Sequence, residues 1–242
     1  MTWTRIEPVG KPIKAVLSEF LEEQSKRLKA RTFRKYESVI ELLEASMNGY
    51  AHQYLNDAEA ALFDRLYNAE GPAHREFCEM FGPEKIPENV HEFLAYFMPH
   101  KVICGKELLQ AAGTVTQKLG KWLQEKDYVR QEAGDDMAGL GARASKDLPA
   151  AEMLAEMLAD HADRMTAGFD QALEGYFTIE AVGPGSLTLA SLINDEKITV
   201  PVPRQAARAC REGWTVSGRV GKTPRGWRLV EIWNVYSSGS QR

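Results

Sequence analysis

The sequence predicts an α+β protein, in which an N-terminal all-α body is followed by a small five-stranded β-barrel. Up to about Gly175 the apolar residues recur every three or four positions, which is typical of amphipathic helices. Beyond Gly175 they alternate every second position, which is typical of strands. The length of 242 residues and the 44% share of hydrophobic residues suffice for one good core or two modest ones.

Two amphipathic helices are predicted before residue 50. The first begins just after Pro12, and its apolar stripe consists of Ile13, Val16, Leu17, Phe20 and Leu21. The apolar stripe of the second consists of Phe33, Tyr36, Ile40, Leu43 and Met47. Thr32 is expected to cap the second helix, because its hydroxyl can accept a hydrogen bond from a free backbone N–H group. Asn48-Gly49 is expected to end that helix.

Three further helices are predicted before residue 130. Asn56 with Glu59 has the pattern of a capping box and predicts the start of a third helix. Another helix is predicted after Pro87 and is expected to stop near Pro99. The last one is expected to follow Gly113-Thr114.

The chain is therefore expected to have four parts. Residues 1–130 form a helical domain, and residues 131–149 form an acidic flexible linker, since they contain four Gly or Pro and four acidic residues. Residues 150–175 are predicted to form a long connecting helix with a Met-rich stripe. Residues 176–242 form the β-barrel module.

Five short strands are predicted in that module. They cover residues 176–182, 186–190, 197–202, 214–220 and 227–236, with a turn at Gly183-Pro184-Gly185 and a short helix over residues 204–211. A helix between the third and fourth strands matches the order of an OB-like barrel, and an SH3-like barrel is the alternative. The last strand is apolar on both faces, so we expect its second face to be covered by the helical body or to bind a partner.

The charges are distributed in blocks of alternating sign. The net charge is −4, but residues 11–35 carry eight Lys or Arg and three Glu, a net +5. Residues 101–130 have a net +3 and residues 175–242 a net +4, whereas the blocks between them are acidic. A basic face on an acidic protein is compatible with this pattern, and solvated surfaces of mixed charge are the alternative. No membrane span or signal peptide is indicated, so the expected location is cytoplasmic.

No enzymatic motif is indicated. Gly139-Leu140-Gly141-Ala142-Arg143-Ala144 fits G-x-G-x-x-A but falls in the predicted linker, whereas a dinucleotide site needs this turn between a strand and a helix. Glu88-x-x-His91 occurs once, whereas a di-iron bundle needs two copies. The five histidines form no cluster with one another or with cysteines. We therefore expect no catalytic activity, no metal and no cofactor.

Two stretches of the helical body resemble a known family. Residues 20–23, 28–36 and 42–43 (Phe-Leu-Glu-Glu, Leu-Lys-Ala-Arg-Thr-Phe-Arg-Lys-Tyr, Leu-Leu) resemble the N-terminal core-binding, SAM-like domain of tyrosine recombinases of the phage integrase type. Residues 112–123 and 127–129 are similar to the last helix of that domain. The resemblance covers residues 13–130 and does not extend to the catalytic domain. The segment from His161 to Arg164 matches the H-x-x-R pattern of the family, and Tyr236 lies near the C-terminus, as the nucleophilic Tyr of the family does. The strands and helices that would join these residues into a catalytic site are not predicted.

The resemblance implies that two helices approach the major groove of DNA. Lysine, arginine and threonine side chains are suited to phosphate contacts. The candidate DNA-binding residues are Lys29, Arg31, Thr32, Arg34 and Lys35 on one helix, and Thr114, Thr116, Lys118 and Lys121 on the other.

The C-terminal module offers a second candidate surface for nucleic acid or for a protein partner. Cations alternate there with tryptophans, as they do in proteins that bind single strands. The candidate residues are Arg219, Lys222, Arg225, Trp227, Arg228 and Trp233. The sequence thus favours a non-catalytic DNA-binding protein, such as an accessory or regulatory protein of a mobile element or its host. The alternative is a protein–protein interaction adaptor with a helical body and a docking β-barrel.

Overall fold

The computed structural model describes residues 10–164 and 168–237. The chain divides into two compact units, Met1–Ser145 (unit 1) and Lys146–Arg242 (unit 2). Helices are followed by a five-stranded antiparallel sheet, so the α+β class is confirmed. Within the described residues, no helix combines the length and the apolar character that crossing a bilayer requires.

Unit 1 is built from helices. They are α1 (Ile13–Ser25), α2 (Ala30–Tyr50), α3 (Asp57–Tyr67), α4 (Phe77–Met80), α5 (Lys85–Glu92), α6 (Met98–Lys101), α7 (Lys106–Glu125) and the first part of α8 (Gln131–Asp163). Short 3₁₀ turns cover Ala51–Tyr54 and Gly71–Ala73, and a π turn over Phe93–Phe97 joins α5 to α6. Helix α2 packs against both α1 and α7, and these three helices position the candidate site.

Two predicted helix starts are confirmed and one is wrong. Helix α1 begins directly after Pro12, and the Asn56 side chain caps α3 with Glu59 completing the capping box. Thr32 does not cap α2, because the helix begins at Ala30 with Lys29 as its N-cap residue. Thr32 lies in the first turn instead, and its backbone N–H donates to the carbonyl of Lys29 at 2.9 Å.

One further predicted helix limit is wrong, and two others lie within two residues of the observed ends. Helix α2, expected to end at Asn48-Gly49, ends one residue later, at Tyr50. The helix expected after Pro87 and stopping near Pro99 begins at Lys85, and its continuation through the π turn and α6 ends at Lys101, two residues after Pro99. Gly113 lies inside α7, which begins seven residues earlier, at Lys106.

Residues 131–149, expected to form a flexible linker, are helical and belong to α8. Their glycines allow the backbones of α7 and α8 to approach each other. A Cβ atom on Gly113 would lie 2.1 Å from the Ser145 backbone nitrogen, and one on Gly141 would lie 2.4 Å from that of Gln117. Helix packing therefore outweighs the low helix propensity of glycine in this segment.

Unit 2 combines the second part of α8 with the sheet. The strands are β1 (Gln171–Gly183), β2 (Ser186–Ser191), β3 (Lys197–Pro201), β4 (Thr215–Thr223) and β5 (Gly226–Tyr236), with α9 (Arg204–Ala209) between β3 and β4. The strand order is β3-β2-β1-β4-β5, and the outer strands β3 and β5 also contact each other. The connecting helix expected to reach residue 175 ends at Asp163, and Gly175 lies inside β1.

The core of unit 2 includes the second part of α8. Leu154 and Leu158 are fully buried in one apolar cluster with Phe177, Ile179 and Val216 of the sheet. Two bulges interrupt the pairing of β5 with β4, and each adds one unpaired residue to β5. Val230 and Trp233 are the bulged residues, and Trp233 remains 43% exposed.

The α7–α8 contact predicts opposite effects for two neighbouring glycines. Gly141→Ala places its Cβ against the α7 backbone, and we expect the protein to lose about 1–3 kcal/mol of stability, as in overpacked cores. Gly139→Ala has its nearest neighbouring atom at 3.7 Å, on Arg143, and should gain about 0.5–1 kcal/mol from better helix propensity. Urea unfolding followed by circular dichroism measures both. Equal stability of the two variants would contradict this account of the α7–α8 contact.

Candidate nucleic-acid interface

Most of the residues predicted to contact DNA lie together on the surface formed by α1, α2 and α7. Two neighbouring cavities on this surface are lined by side chains from the start of α2 and from α7, and Tyr36 lines both. We call this surface the basic face. It consists of Arg27, Arg31, Thr32, Lys35, Thr114, Lys118 and Lys121. Lys29 and Arg34 are exposed on the first turns of α2 but line neither cavity.

The larger cavity, called the large pocket here, has a volume of about 330 Å³. It lies between the end of α1 and the last two turns of α7. Its lining consists of Gln24, Arg27, Leu28, Tyr36, Lys118, Lys121, Trp122 and Glu125. The smaller cavity, of about 150 Å³, lies between the first turns of α2 and α7 and includes Thr32, Lys35, Glu107 and Thr114.

The cations of the basic face differ in how they are paired. Lys35 Nζ lies 2.8 Å from a carboxylate oxygen of Glu107. That hydrogen bond, together with the charges of Lys35 and Arg31, holds the pKa of the Glu107 carboxyl below its usual range. Arg27, Lys118 and Lys121 form no ion pair with any residue that the structure describes. These three cations are therefore available to a ligand.

Aromatic packing fixes the floor of the large pocket. The Tyr36 ring is stacked on Phe20 with ring centroids 6.0 Å apart, and Phe20 meets Trp122 edge to face at 5.4 Å. The Trp122 indole N–H donates to Glu23 at 2.9 Å, which orients the ring. Burial raises the pKa of the Tyr36 hydroxyl, so this group stays protonated and can donate a hydrogen bond at neutral pH.

Thr116 does not belong to the basic face, contrary to the prediction. It is 1% exposed, and its hydroxyl has no hydrogen-bond partner among the described residues. Thr114 is partly exposed, but its hydroxyl donates to the carbonyl of Gln110 at 2.9 Å. The helical period explains the difference, because residue 116 points to the same side of α7 as Gly113 and Gly120, which face α8.

The sequence analysis missed Gln24 and Arg27. Gln24 lies four residues after Phe20 and therefore continues the apolar stripe of α1, where it is 9% exposed. A polar side chain in an apolar stripe was the available signal. Arg27 follows the last turn of α1, in the charged junction between α1 and α2.

The candidate residues of unit 2 do not form one continuous surface. Arg219 is held by the Glu174 carboxylate at 2.9 Å, and Lys222 lies over the Trp227 ring, 5.8 Å from its centroid. Trp227 packs against the core, and Arg225 is exposed in the β4–β5 turn. Arg228 pairs with Gly221 across the β4–β5 ladder, whereas Trp233 lies at a bulge near the other end of β5.

No protein-family model, no curated protein and no solved structure matches this chain. The function is therefore argued from the basic face itself. Within the described part of the chain, no group of three or more His, Cys, Asp or Glu side chains is placed to hold a metal ion.

The unpaired Thr116 hydroxyl leads to a stability prediction. Thr116→Val keeps the β-branched shape and removes a buried polar group that lacks a partner, so we expect a gain of about 1 kcal/mol. Thr114→Val is the matched control, since it removes a hydroxyl that is satisfied and partly exposed, and it should give no gain. Thermal unfolding of both variants checks the difference, and a loss of stability in Thr116→Val would contradict it.

Proposed function

We propose that this chain is a non-catalytic DNA-binding protein, which contacts duplex phosphates through the basic face. The observation that supports this best is the clustering of five cations, on α2, on α7 and in the turn between α1 and α2, in a protein with a net charge of −4. The cations are Arg27, Arg31, Lys35, Lys118 and Lys121. Among the acids, Glu107 and Glu125 line the two cavities.

The resemblance to integrase core-binding domains supports the same proposal. It singled out the start of α2 and the helix α7, and these two helices pack against each other. Their cations can neutralise phosphates on one side of a duplex and release counterions. Strand cleavage is not part of the proposal, so the protein acts as an accessory or regulatory factor of a mobile element or its host.

We also propose that the sheet of unit 2 is a partly open OB-like barrel. Contact between the outer strands β3 and β5 supports closure, and the position of α9 between β3 and β4 favours the OB-like order over the SH3-like one. Such barrels bind single strands through aromatic platforms and loop cations. The exposed Trp233 and the Arg225 turn are the groups that unit 2 offers for this role.

A protein-interaction adaptor is the second candidate function. Its support is an exposed apolar patch on unit 2 formed by Tyr176, Leu192 and Ile193, which are 46%, 46% and 78% exposed. The patch is continuous, because the Leu192 N–H donates to the Tyr176 carbonyl and Ile193 lies against Gly175. Light scattering tests self-association. This second candidate is favoured if the protein forms dimers and does not bind DNA, and if the Ile193→Asp variant no longer forms dimers.

Duplex titration tests the proposed function. We expect labelled duplex DNA to bind with an affinity that falls steeply with salt, by a slope of about −0.9 per phosphate contacted. The double variant Lys118→Ala/Lys121→Ala should weaken binding at least tenfold at low salt and reduce the slope by about 2, that is, about one per lost contact. Fluorescence anisotropy at two salt concentrations measures both quantities.

The matched control removes two cations outside the basic face. Arg65 on α3 and Arg143 on α8 are both exposed, and Arg65→Ala/Arg143→Ala changes the net charge by the same amount. We expect the control to retain at least half of the wild-type affinity. No binding at low salt, or an equal loss in both double variants, would overturn the proposed function.

A further inference from the structure

Two buried polar side chains at the large pocket lack partners within the protein. Gln24 is 9% exposed and Tyr36 is 8% exposed, and both line this cavity. Neither the Gln24 amide nor the Tyr36 hydroxyl forms a hydrogen bond with any residue that the structure describes. Their polar atoms are not among the fully buried unsatisfied atoms of the described residues, so they face the open side of the cavity. Both groups are therefore free to hydrogen-bond to a polar ligand in the pocket.

The charge around these two groups identifies the kind of ligand. Arg27, Lys118 and Lys121 line the pocket against the single carboxylate of Glu125, which leaves a net charge of +2. The three cations are unpaired among the described residues, as shown above. A dianion matches this charge. An internal phosphate of a nucleic acid carries one negative charge, whereas a phosphomonoester carries about −1.5 to −2 at neutral pH.

The size of the pocket indicates more than a bare phosphate. Its volume of about 330 Å³ reaches the range of small-molecule sites, roughly 300–1,000 Å³. Leu28 and Trp122 give it an apolar wall beside the cations. The Gln24 amide can both donate and accept hydrogen bonds, and the Glu125 carboxylate can accept them from hydroxyl groups. The lining therefore suits an organic group that carries hydrogen-bonding atoms as well as a phosphate.

We propose that the large pocket binds a phosphomonoester carried on a group of nucleoside size. Arg27, Lys118 and Lys121 hold the phosphate, while Gln24 and the protonated Tyr36 hydroxyl hydrogen-bond to the ligand. No covalent step is involved. The ligand is either a free nucleoside monophosphate or the 5′-phosphorylated end of a DNA strand. Binding of a 5′-phosphorylated strand end rests on the proposed DNA-binding function, whereas binding of a free nucleoside monophosphate does not.

Calorimetric titration of the full chain tests the free source. The probes are the four deoxynucleoside 5′-monophosphates, the four unphosphorylated deoxynucleosides and inorganic phosphate. We expect at least one monophosphate to bind tenfold or more tightly than both its nucleoside and inorganic phosphate. Anisotropy with a labelled DNA hairpin tests the strand-end source, and there a 5′-phosphate should improve binding at least fivefold over a 5′-hydroxyl.

Two variants tie the binding to the pocket. Gln24→Leu keeps the size of a side chain on the apolar stripe but removes its amide, and Lys118→Met keeps most of the side-chain length without the charge. Each should weaken phosphomonoester binding at least fivefold. Arg65→Ala and Arg143→Ala serve as controls and should bind as the wild type does. Circular dichroism verifies that every variant is folded.

The outcomes separate this inference from the proposed function. Duplex binding without any preference for a phosphomonoester in either titration overturns the pocket proposal and leaves the duplex proposal standing. Tight binding of a free monophosphate without duplex binding overturns the duplex proposal and leaves the pocket proposal standing. Phosphomonoester binding that Gln24→Leu and Lys118→Met leave unchanged also overturns the inference, because the ligand would then occupy another site.

Discussion

Close packing between α7 and the first part of α8 is the constraint on which the basic face depends. Gly113 and Gly120 on α7 meet Gly141 and Gly134 on α8, so the two backbones touch where other helix pairs place side chains between them. The other side of α7 packs against α2 and carries Lys118 and Lys121. A shift of α7 away from α8 would therefore move half of the large pocket relative to the half that α1 and α2 provide.

Some cations of unit 1 are held in ion pairs, whereas others are free to contact a ligand. Five lysines of the described residues form salt bridges with glutamates from other parts of the unit, namely Lys11 with Glu19, Lys14 with Glu79, Lys35 with Glu107, Lys85 with Glu59 and Lys126 with Glu23. The hydrogen bond from Lys14 lowers the pKa of the Glu79 carboxyl, as expected of a paired group. Exposed pairs of this kind add little stability. Arg27, Lys118 and Lys121 take part in none of these pairs, so their charges contribute to a positive potential at the large pocket.

The sequence predicted correctly the elements that depend on interactions between residues close together in the chain. The stripe after Pro12, the Asn56 capping box and the Pro184-Gly185 turn between β1 and β2 are each encoded within a few residues, and all three are present. Signals that depend on a distant partner were misjudged. The glycine-rich segment of α8 has a composition typical of loops, and only its contact with α7 explains why it is helical. The sequence alone does not distinguish Thr114 from Thr116, because their difference in burial comes from the packing of α8 on α7. The large pocket was missed for the same reason, since Gln24 and Lys118 are far apart in sequence.

Trp122 has a spectroscopic consequence. It lines the large pocket, and it is the one tryptophan among the described residues of unit 1, since Trp214, Trp227 and Trp233 belong to unit 2. Its indole is held by Glu23 and contacted by the Lys126 ammonium 5.7 Å above the ring, so its emission depends on a fixed local field. A phosphate entering the pocket changes that field. Unit 1 therefore carries an intrinsic fluorophore at the wall of the cavity, and its signal can be isolated by replacing Trp3 together with the tryptophans of unit 2.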